Sequence, residues 1–499
     1  MVNTNMSNTR PIFPPVSFDF AALLQTAFHC QQVGIPVEDD ADPDESHPAS
    51  ESANAQAPAT DPCRPLSPPK PMGGDDPEHS PRAPLLSDIL PNTPDCRSRS
   101  PVEDSSSDNP SAAESAPPDP LPNPSNPRKR GKNRRTNRKR AKKRREKVEK
   151  EGHVTNTRTV LEHVQLCEPL NLAIDYAKMP VSLSGYVGIR SSESKKVLRN
   201  TNSLNDLLAM GFEVVEWDGR EARPIIDANG RVCGVLAGRP NDKTYDLSVD
   251  RACRFLQAES APECFRPEES RHRRGPFAAV AFGISFGGGQ KSAQRLVTGS
   301  HTGLVERVLS NRHISRLASY ADGAFRTWSP RLYAYYRSTL LKASSHTRQR
   351  INFKGSCFAA MSVNMGGKVC CFKHRDCVNL AFGWCAITAM GNFDPKKGGH
   401  FVLWDLKLII EFPPGSTILI PSAVFSHSNT SIGTEETRFS ITQYTAGALF
   451  RWVENGFKTD KELQAQDPAH YSHMSDLKAS RFEHGIRMYC TLDELCKVV

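Results

Sequence analysis

Apolar positions recur along this chain at different spacings, and each spacing predicts a different element. In "GLVERVLSNRHISRLASYADGAFRTW" (303–328), Leu304, Val308, Leu309, Ile314, Leu317, Ala321 and Phe325 fall at roughly helical spacing, which predicts a helix. The stretch 211–238 instead reads as short strands with turns, with Asn229-Gly230 as a hairpin signal. After "INFKGSCFAAMSVNM" the chain turns strand-rich. Residues 400–429 predict two or three strands broken by the Pro-Pro-Gly turn at 413–415, and "TRFSITQYT" (437–445) alternates cleanly. Residues 458–499 look helical and polar. A helical layer followed by many short strands predicts an α+β fold, a sheet sandwich or barrel of the jelly-roll type buttressed by helices.

The first quarter carries no such pattern. Residues 1–127 hold 25 of the 38 prolines among Ser, Asp, Asn and Ala. Such a segment buries too little apolar surface to offset its ordering entropy, so a long disordered N-terminal region is expected. Within it, Phe20, Leu23, Leu24, Ala27 and Phe28 in "VSFDFAALLQTAF" have helical spacing, as a transient helix or a short partner-docking one would. The chain then divides into a basic tract (128–152), an α/β part of the globular region (153–270), a region from 271 to 457 with its strand core at about 350–450, and a helical extension (458–499).

Charge sharpens this division. The net +9 is concentrated in "RKRGKNRRTNRKRAKKRREKVEK" (128–150), where 15 Lys/Arg face 2 Glu, a local +13 that leaves the remainder near −4. That density predicts a nuclear-import signal, a nucleic-acid-binding arm reading phosphates without sequence, or both. The 14 cysteines are scattered without a CxxC pair, the N-terminus lacks an apolar signal core, and no apolar run reaches membrane-spanning length. A soluble, thiol-reduced intracellular protein with no membrane partner is expected. "GISFGGGQKS" (283–292) resembles a phosphate-cradling loop only superficially, because Gln290 interrupts the Gly-Lys-Ser ending that such a loop requires; it reads as a flexible loop near a binding cleft.

The chemistry concentrates in "CFKHRDCVNLAFGWC" (371–385), which sets His374 and Asp376 one residue apart in an apolar, strand-like stretch. On a strand both project to one side, with Arg375 turned away. A partly buried His/Asp pair needs compensation, by hydrogen bonds or by a metal. Further on, His427 follows an apolar strand, and Arg438-x-Ser440 lies on the alternating one. Two imidazoles and one carboxylate on one face of a metal leave three cis positions open, the arrangement of oxygen-activating non-haem Fe(II) sites. A bidentate 2-oxo acid takes two of these positions and O2 the third. The far carboxylate of that acid needs a fixed, always-charged fork, which Arg438 supplies, and Ser440 points the same way.

The order His374-x-Asp376, His427, Arg438-x-Ser440 resembles the 2-oxoglutarate- and Fe(II)-dependent dioxygenases with a double-stranded β-helix core. More narrowly, "HRDCVN" followed by "RFSITQY" resembles the TET/JBP branch, which oxidises the methyl group of thymine or 5-methylcytosine in DNA. The tracts from "GWCAITAMGNFDPKKGGHF" to "FSHSN", with "QYTAGALFRWVENGF", are similar to the expanded set of such proteins in mushroom-forming fungi. The resemblance spans about residues 270–457. It implies Fe(II) ligation by His374, Asp376 and His427, a 2-oxoglutarate anchor at Arg438 assisted by Ser440, and Asn379 near the substrate base. It also implies nuclear work on double-stranded, methylated DNA, with 2-oxoglutarate decarboxylated to succinate. The cysteine-rich zinc module of the animal enzymes has no counterpart here, so DNA engagement falls to the basic tract and residues 155–340.

A base inside a duplex must be flipped out before its methyl is reached. Asn364, Asn379, Trp384 and Asn429 are candidates to receive it by their proximity to the triad in sequence; Trp384 is more often a core residue and asparagines are often turn formers, and Asn379 is the chosen one. Two other readings stand beside this one. The same core could hydroxylate a protein or repair an alkylated base, or the chain could be a non-catalytic nucleic-acid-binding protein with a decayed core.

Overall fold

The computed structural model describes residues 127–190, 201–261 and 264–497. The expected disordered tail, apart from its last residue, and the helix at 16–28 lie outside the described residues. Thirteen strands are described. Six precede the triad region: β1 (Leu170–Asn171), β2 (Glu213–Val215), β3 (Arg223–Ile226), β4 (Val232–Gly238), β5 (Ala279–Ser285) and β6 (Gln294–Arg295). Seven follow: β7 (Ala360–Asn364), β8 (Cys385–Asn392), β9 (Phe401–Leu403), β10 (Leu408–Ile410), β11 (Thr417–Ile420), β12 (His427–Asn429) and β13 (Thr437–Tyr444).

They form two sheets. The larger runs β1-β3-β4-β11-β8-β13-β7-β5-β6, the smaller β12-β9-β10-β2. From β7 onward the chain passes back and forth between them. β7 lies in the large sheet, the segment at His374 pairs with β12 of the small one, and β8 returns to the large sheet. β9 and β10 then lie in the small sheet, β11 in the large, β12 in the small and β13 in the large. This winding of two largely antiparallel sheets around one interior is a double-stranded β-helix, so the expected α+β, jelly-roll class is the observed one.

The large sheet is buried on both faces, which explains why β13 alternates in sequence yet is buried at Arg438 through Gln443. Its Phe439 and Ile441 pack with Met361, Val363 and Met390 against Leu304, Val308, Ile314 and Leu317 of the buttressing helices. By the two-residue period of a strand, Arg438, Ser440, Thr442 and Tyr444 face the other way, into the roll. Register places Arg438 beside Gly391 and Ser440 beside Ala389 and Asn364. The neighbours of Arg438 and Ser440 on β8 are therefore small. Gly391 has no latitude to be anything else: its φ is +130°, and an added Cβ would lie 2.0 Å from the Thr437 carbonyl oxygen.

The Asn229-Gly230 hairpin forms as expected between β3 and β4, with Gly230 at φ +76°. Asp227 shapes the turn by accepting from the backbone N–H groups of Asn229 and Arg231 at 3.0 and 2.9 Å. The predicted helix over 303–328 is two helices, Thr302–Ser310 and Arg312–Trp328. Asn311 ends one and caps the next, its side chain accepting from the N–H groups of His313 and Ile314 at 2.9 and 3.2 Å. Residues 400–429 hold four strands rather than two or three, because Lys407 at φ +52° turns β9 tightly into β10. The glycine loop joins β5 to β6, and the next α-helix begins only at Thr302, so the loop caps no helix. The helical extension holds four short helices between Asp460 and Lys497. No described helix is long and apolar enough to cross a membrane.

Candidate metal centre

His374 is not part of a regular strand as its sequence suggested. It forms an isolated antiparallel bridge with His427 on β12, each backbone N–H donating to the other's carbonyl oxygen at 3.0 and 2.9 Å. Residues facing each other across such a pair project to one side. The two imidazoles accordingly converge, with ring centroids 4.3 Å apart. After Arg375 the chain bends, and the Asp376 N–H donates to the Ser422 carbonyl at 2.9 Å. This brings the carboxylate between the rings: one oxygen lies 3.8 Å from His374 Nε2, the other 3.8 Å from His427 Nε2. All three ligand atoms lie within 4.8 Å of one another. Arg375 turns away as expected, to Asp405 Oδ1 at 2.7 Å and Ser426 Oγ at 2.9 Å.

The tautomers follow from the partners. His374 Nδ1 lies 2.7 Å from the Phe372 carbonyl and His427 Nδ1 2.9 Å from that of Phe425. A carbonyl only accepts, so each Nδ1 carries the proton and each Nε2 presents a lone pair to the other two ligands. Burial, His427 and Arg273 push the His374 imidazole well below its usual range against the pull of Asp376, so it is neutral at physiological pH. Burial would raise Asp376, but its neighbours, the Arg274 and Arg273 guanidinia among them, outweigh it and hold its carboxyl below the usual carboxylate range. Neutral imidazole beside carboxylate is the ligating form of this set.

Arg438 is 1 % exposed. Its Nη1 donates to the Val369 carbonyl at 3.0 Å, while Nε has no partner. Phe393 and Phe412 lie 5.9 and 6.0 Å from it, and burial pulls its guanidinium down from its usual range. The thiols of Cys371 and Cys370 lie within its electrostatic reach, and no ion pair joins it to a carboxylate among the described residues. Ser440 accepts from Asn364 Nδ2 at 2.9 Å, leaving its own O–H to donate. Cys371 links the two parts of the site, since it lies within electrostatic reach of Arg438, Arg274 and Asp376.

The structure thus brings His374, Asp376 and His427 together and places Arg438 and Ser440 on the interior face of β13. Asn379 is buried close by, its Nδ2 donating to Ser422 Oγ at 3.1 Å and its backbone N–H to the Asp376 carbonyl at 2.9 Å. Asn429 Nδ2 is engaged by the His400 carbonyl at 3.1 Å, and Trp384 is core, stacked on Phe325.

Sequence reading missed three neighbours. Arg273 and Arg274 come from a tight turn bridged at His272 and Gly275 and pinned by the Phe372 N–H on the Arg274 carbonyl at 2.8 Å. Arg273 Nη2 lies 3.9 Å from Asp376 Oδ1, and Arg274 Nη2 lies 3.4 Å from Ser362 Oγ. Tyr444, raised to about 12 by burial, also senses Asp376 and Arg274. The strand period extended two steps past Thr442 would have found Tyr444; nothing short of the fold places the arginines.

No protein-family model matches the chain, and no curated protein matches it. Similar solved structures include NgTET1 in complex with 5mC DNA, at 13% identity and a TM-score of 0.33, covering 51% of this chain and 91% of that one. Another is an oxidoreductase of the 2OG-Fe(II) oxygenase family from Burkholderia pseudomallei, at 16% identity and a TM-score of 0.24, covering 50% and 93%. The strand order and site geometry of this chain carry the functional reading on their own. They define a double-stranded β-helix with two imidazoles and a carboxylate converging inside it, and an unpaired guanidinium on the facing sheet.

Proposed function

We propose that this chain is an Fe(II)- and 2-oxoglutarate-dependent dioxygenase that oxidises a methyl group on a DNA base, 5-methylcytosine or thymine. The observation that carries the reading is Arg438. A buried guanidinium without a counter-charge is costly, and an interior that keeps one beside a metal-competent triad is built for an anionic ligand. The residues fit the groups required. His374, Asp376 and His427 would hold Fe(II) through two free Nε2 lone pairs and a carboxylate, and Arg438 would grip the far carboxylate of 2-oxoglutarate through its unused Nε, with the Ser440 hydroxyl donating beside it.

When bound, iron supplies the coupling of O2-driven decarboxylation of 2-oxoglutarate, yielding succinate, to oxidation of a substrate C–H bond. The chain's own contribution is placement. The paired Nδ1 bonds fix the imidazoles, and Ser422 ties the backbone of Asp376 to the amide of Asn379, which the reading places beside the flipped base. Arg273 and Arg274 add positive potential where a nucleotide phosphate would approach. The TET/JBP-like motif "HRDCVN…RFSITQY" and the basic tract support DNA as the substrate, and the same tract suits nuclear import.

The test is direct. Full-length protein is incubated with Fe(II), ascorbate, 2-oxoglutarate and methylated duplex, and nucleosides and succinate are quantified by mass spectrometry. Succinate with oxidised 5-methylcytosine or thymine is expected, and Arg438→Ala should abolish both. Succinate stimulated by a protein substrate, with DNA unchanged, would move the chain to the protein hydroxylases. Iron binding without turnover on any substrate would make it a decayed binding protein.

A further inference from the structure

The helix Pro127–Glu151 has little reason within itself to be a helix. From Arg135 onward its side chains are exposed except Val148, which is half-buried. Arg135–Lys139, Arg138–Lys142, Lys139–Lys143, Arg140–Arg144 and Lys143–Lys147 are like charges one turn apart, each destabilising. Against them stand two exposed ion pairs, Lys142–Glu146 at 3.8 Å and Lys147–Glu151 at 3.7 Å. A helix that is polar all round is not self-supporting.

Its C-terminal end, by contrast, is firmly built. Gly152, at φ +79°, donates to the Val148 carbonyl at 2.9 Å. Arg337 Nη2 donates to the Glu149 carbonyl and Arg326 Nη1 to that of Glu151, both at 2.7 Å. Lys354 pairs with the Glu149 carboxylate at 2.9 Å. Val148 packs so closely on Gly355 that an added Cβ there would meet its Cγ1 at 2.6 Å. Three cations at a helix C-terminus also oppose its dipole favourably. The foot of the helix belongs to the fold; along the shaft the cations far outnumber the carboxylates.

We infer that residues 135–151 form a duplex-docking helix, nucleated by the clamp at Arg326, Arg337 and Lys354 and completed by nucleic-acid phosphates. The chemistry selects that partner. Only Ala141 and Val148 are apolar between 135 and 151, so no face can enter a bilayer. The ten Lys/Arg from Arg135 to Lys150 lie along roughly 25 Å of helix, one cation per ~2.5 Å against one phosphate per ~1.7 Å of duplex, so the helix meets a surface whose opposite charge is denser still. Because the clamp fixes the foot, a duplex on the shaft is held in a set orientation to the fold it grows from, which a flexible basic tail would not achieve. The choice of DNA rests on the proposed function; the nucleated helix does not.

The test keeps every charge and breaks the helix. In the full chain, Ala141→Pro should weaken binding of a short unmethylated duplex about tenfold, with Ala141→Gly in between. Hydrogen exchange over 135–147 should slow when duplex is added to the wild type and not to Ala141→Pro. Equal duplex affinity in Ala141→Pro would overturn the inference, as would the same protection from phosphatidylserine vesicles or polyglutamate. None of these readouts involves turnover. Normal oxidation with an unaffected Ala141→Pro would sink the docking helix alone, and protection without any succinate would sink the dioxygenase alone.

Discussion

Arg438 shows how a single side chain can set function against stability. Its guanidinium is enclosed, has one carbonyl partner and an unused Nε, and faces two phenyl rings. Replacing an uncompensated buried charge by an apolar side chain of similar length is neutral or stabilising, by about 1–4 kcal/mol. Arg438→Met should therefore melt at or above the wild-type temperature while losing 2-oxoglutarate. In thermal unfolding, the oxo acid should raise the melting temperature of the wild type by mass action and leave that of the variant unmoved. A ligand-induced rise in Arg438→Met would show that the oxo acid binds elsewhere. At this scale the sequence was legible in part: it picked out His374, Asp376 and His427, which converge, and Arg438 and Ser440, which share the interior face of β13. It did not pick out Arg273 and Arg274, because arginines serve many purposes and only the turn at His272–Gly275 aims them at Asp376.

Elements hold these side chains through bonds that composition does not reveal. Asp376 is set by the Ser422 carbonyl, and Asn379 by the Ser422 hydroxyl. The main chain holds Asp376, so Asn379→Ala and Ser422→Ala, which remove only the side-chain bond between those two residues, should leave Fe(II) affinity within about twofold in titrations without substrate. An effect confined to the KM for DNA would make Asn379 a substrate contact only.

The helix Arg312–Trp328 carries another buried group. Asp322 accepts from the Cys357 N–H at 2.9 Å and the Ser356 hydroxyl at 3.2 Å, leaves Oδ2 unpartnered, and is pushed up to about 7 by burial. Its folded value lies above its unfolded one, so its contribution to stability is complete below about pH 3.8 and is lost as pH rises through about 7. Wild-type protein should lose on the order of 3 kcal/mol between those limits, and Asp322→Asn should flatten the fall of melting temperature from pH 5 to 8. Equal slopes would remove Asp322 from the account. Periodicity foresaw the helical layer but not its break, because a capping Asn311 inside a continuous apolar stripe changes the hydrogen bonds and not the pattern. It undercounted strands at 400–429 for a similar reason, since the tight turn at Lys407, unlike the Pro-Pro-Gly turn at 413–415, leaves the apolar run nearly unbroken.

Across the molecule, the two sheets are shared by distant parts of the chain. β4 pairs with β11 and β2 with β10, so strands from before residue 270 complete both sheets. A fragment beginning at residue 271 would expose the edges of β11 and β10, and should appear in the insoluble fraction or be degraded by mild protease where the full chain is not. A soluble, cooperatively melting fragment would show that the earlier strands only decorate the roll. The jelly-roll class was legible from strand density and the residues after 350. The sharing was not, because pairing between residues some 180 apart leaves no local trace.

β13 lies between β8 and β7 although it is the last strand made. While the protein is being synthesised, those two neighbours must wait side by side for a wedge that leaves the ribosome tens of residues later. The strand that fills the gap also carries Arg438. On the proposed function, a product terminated before that strand would carry His374, Asp376 and His427 but neither Arg438 nor the wedge between β8 and β7, and should fail to fold and to turn over.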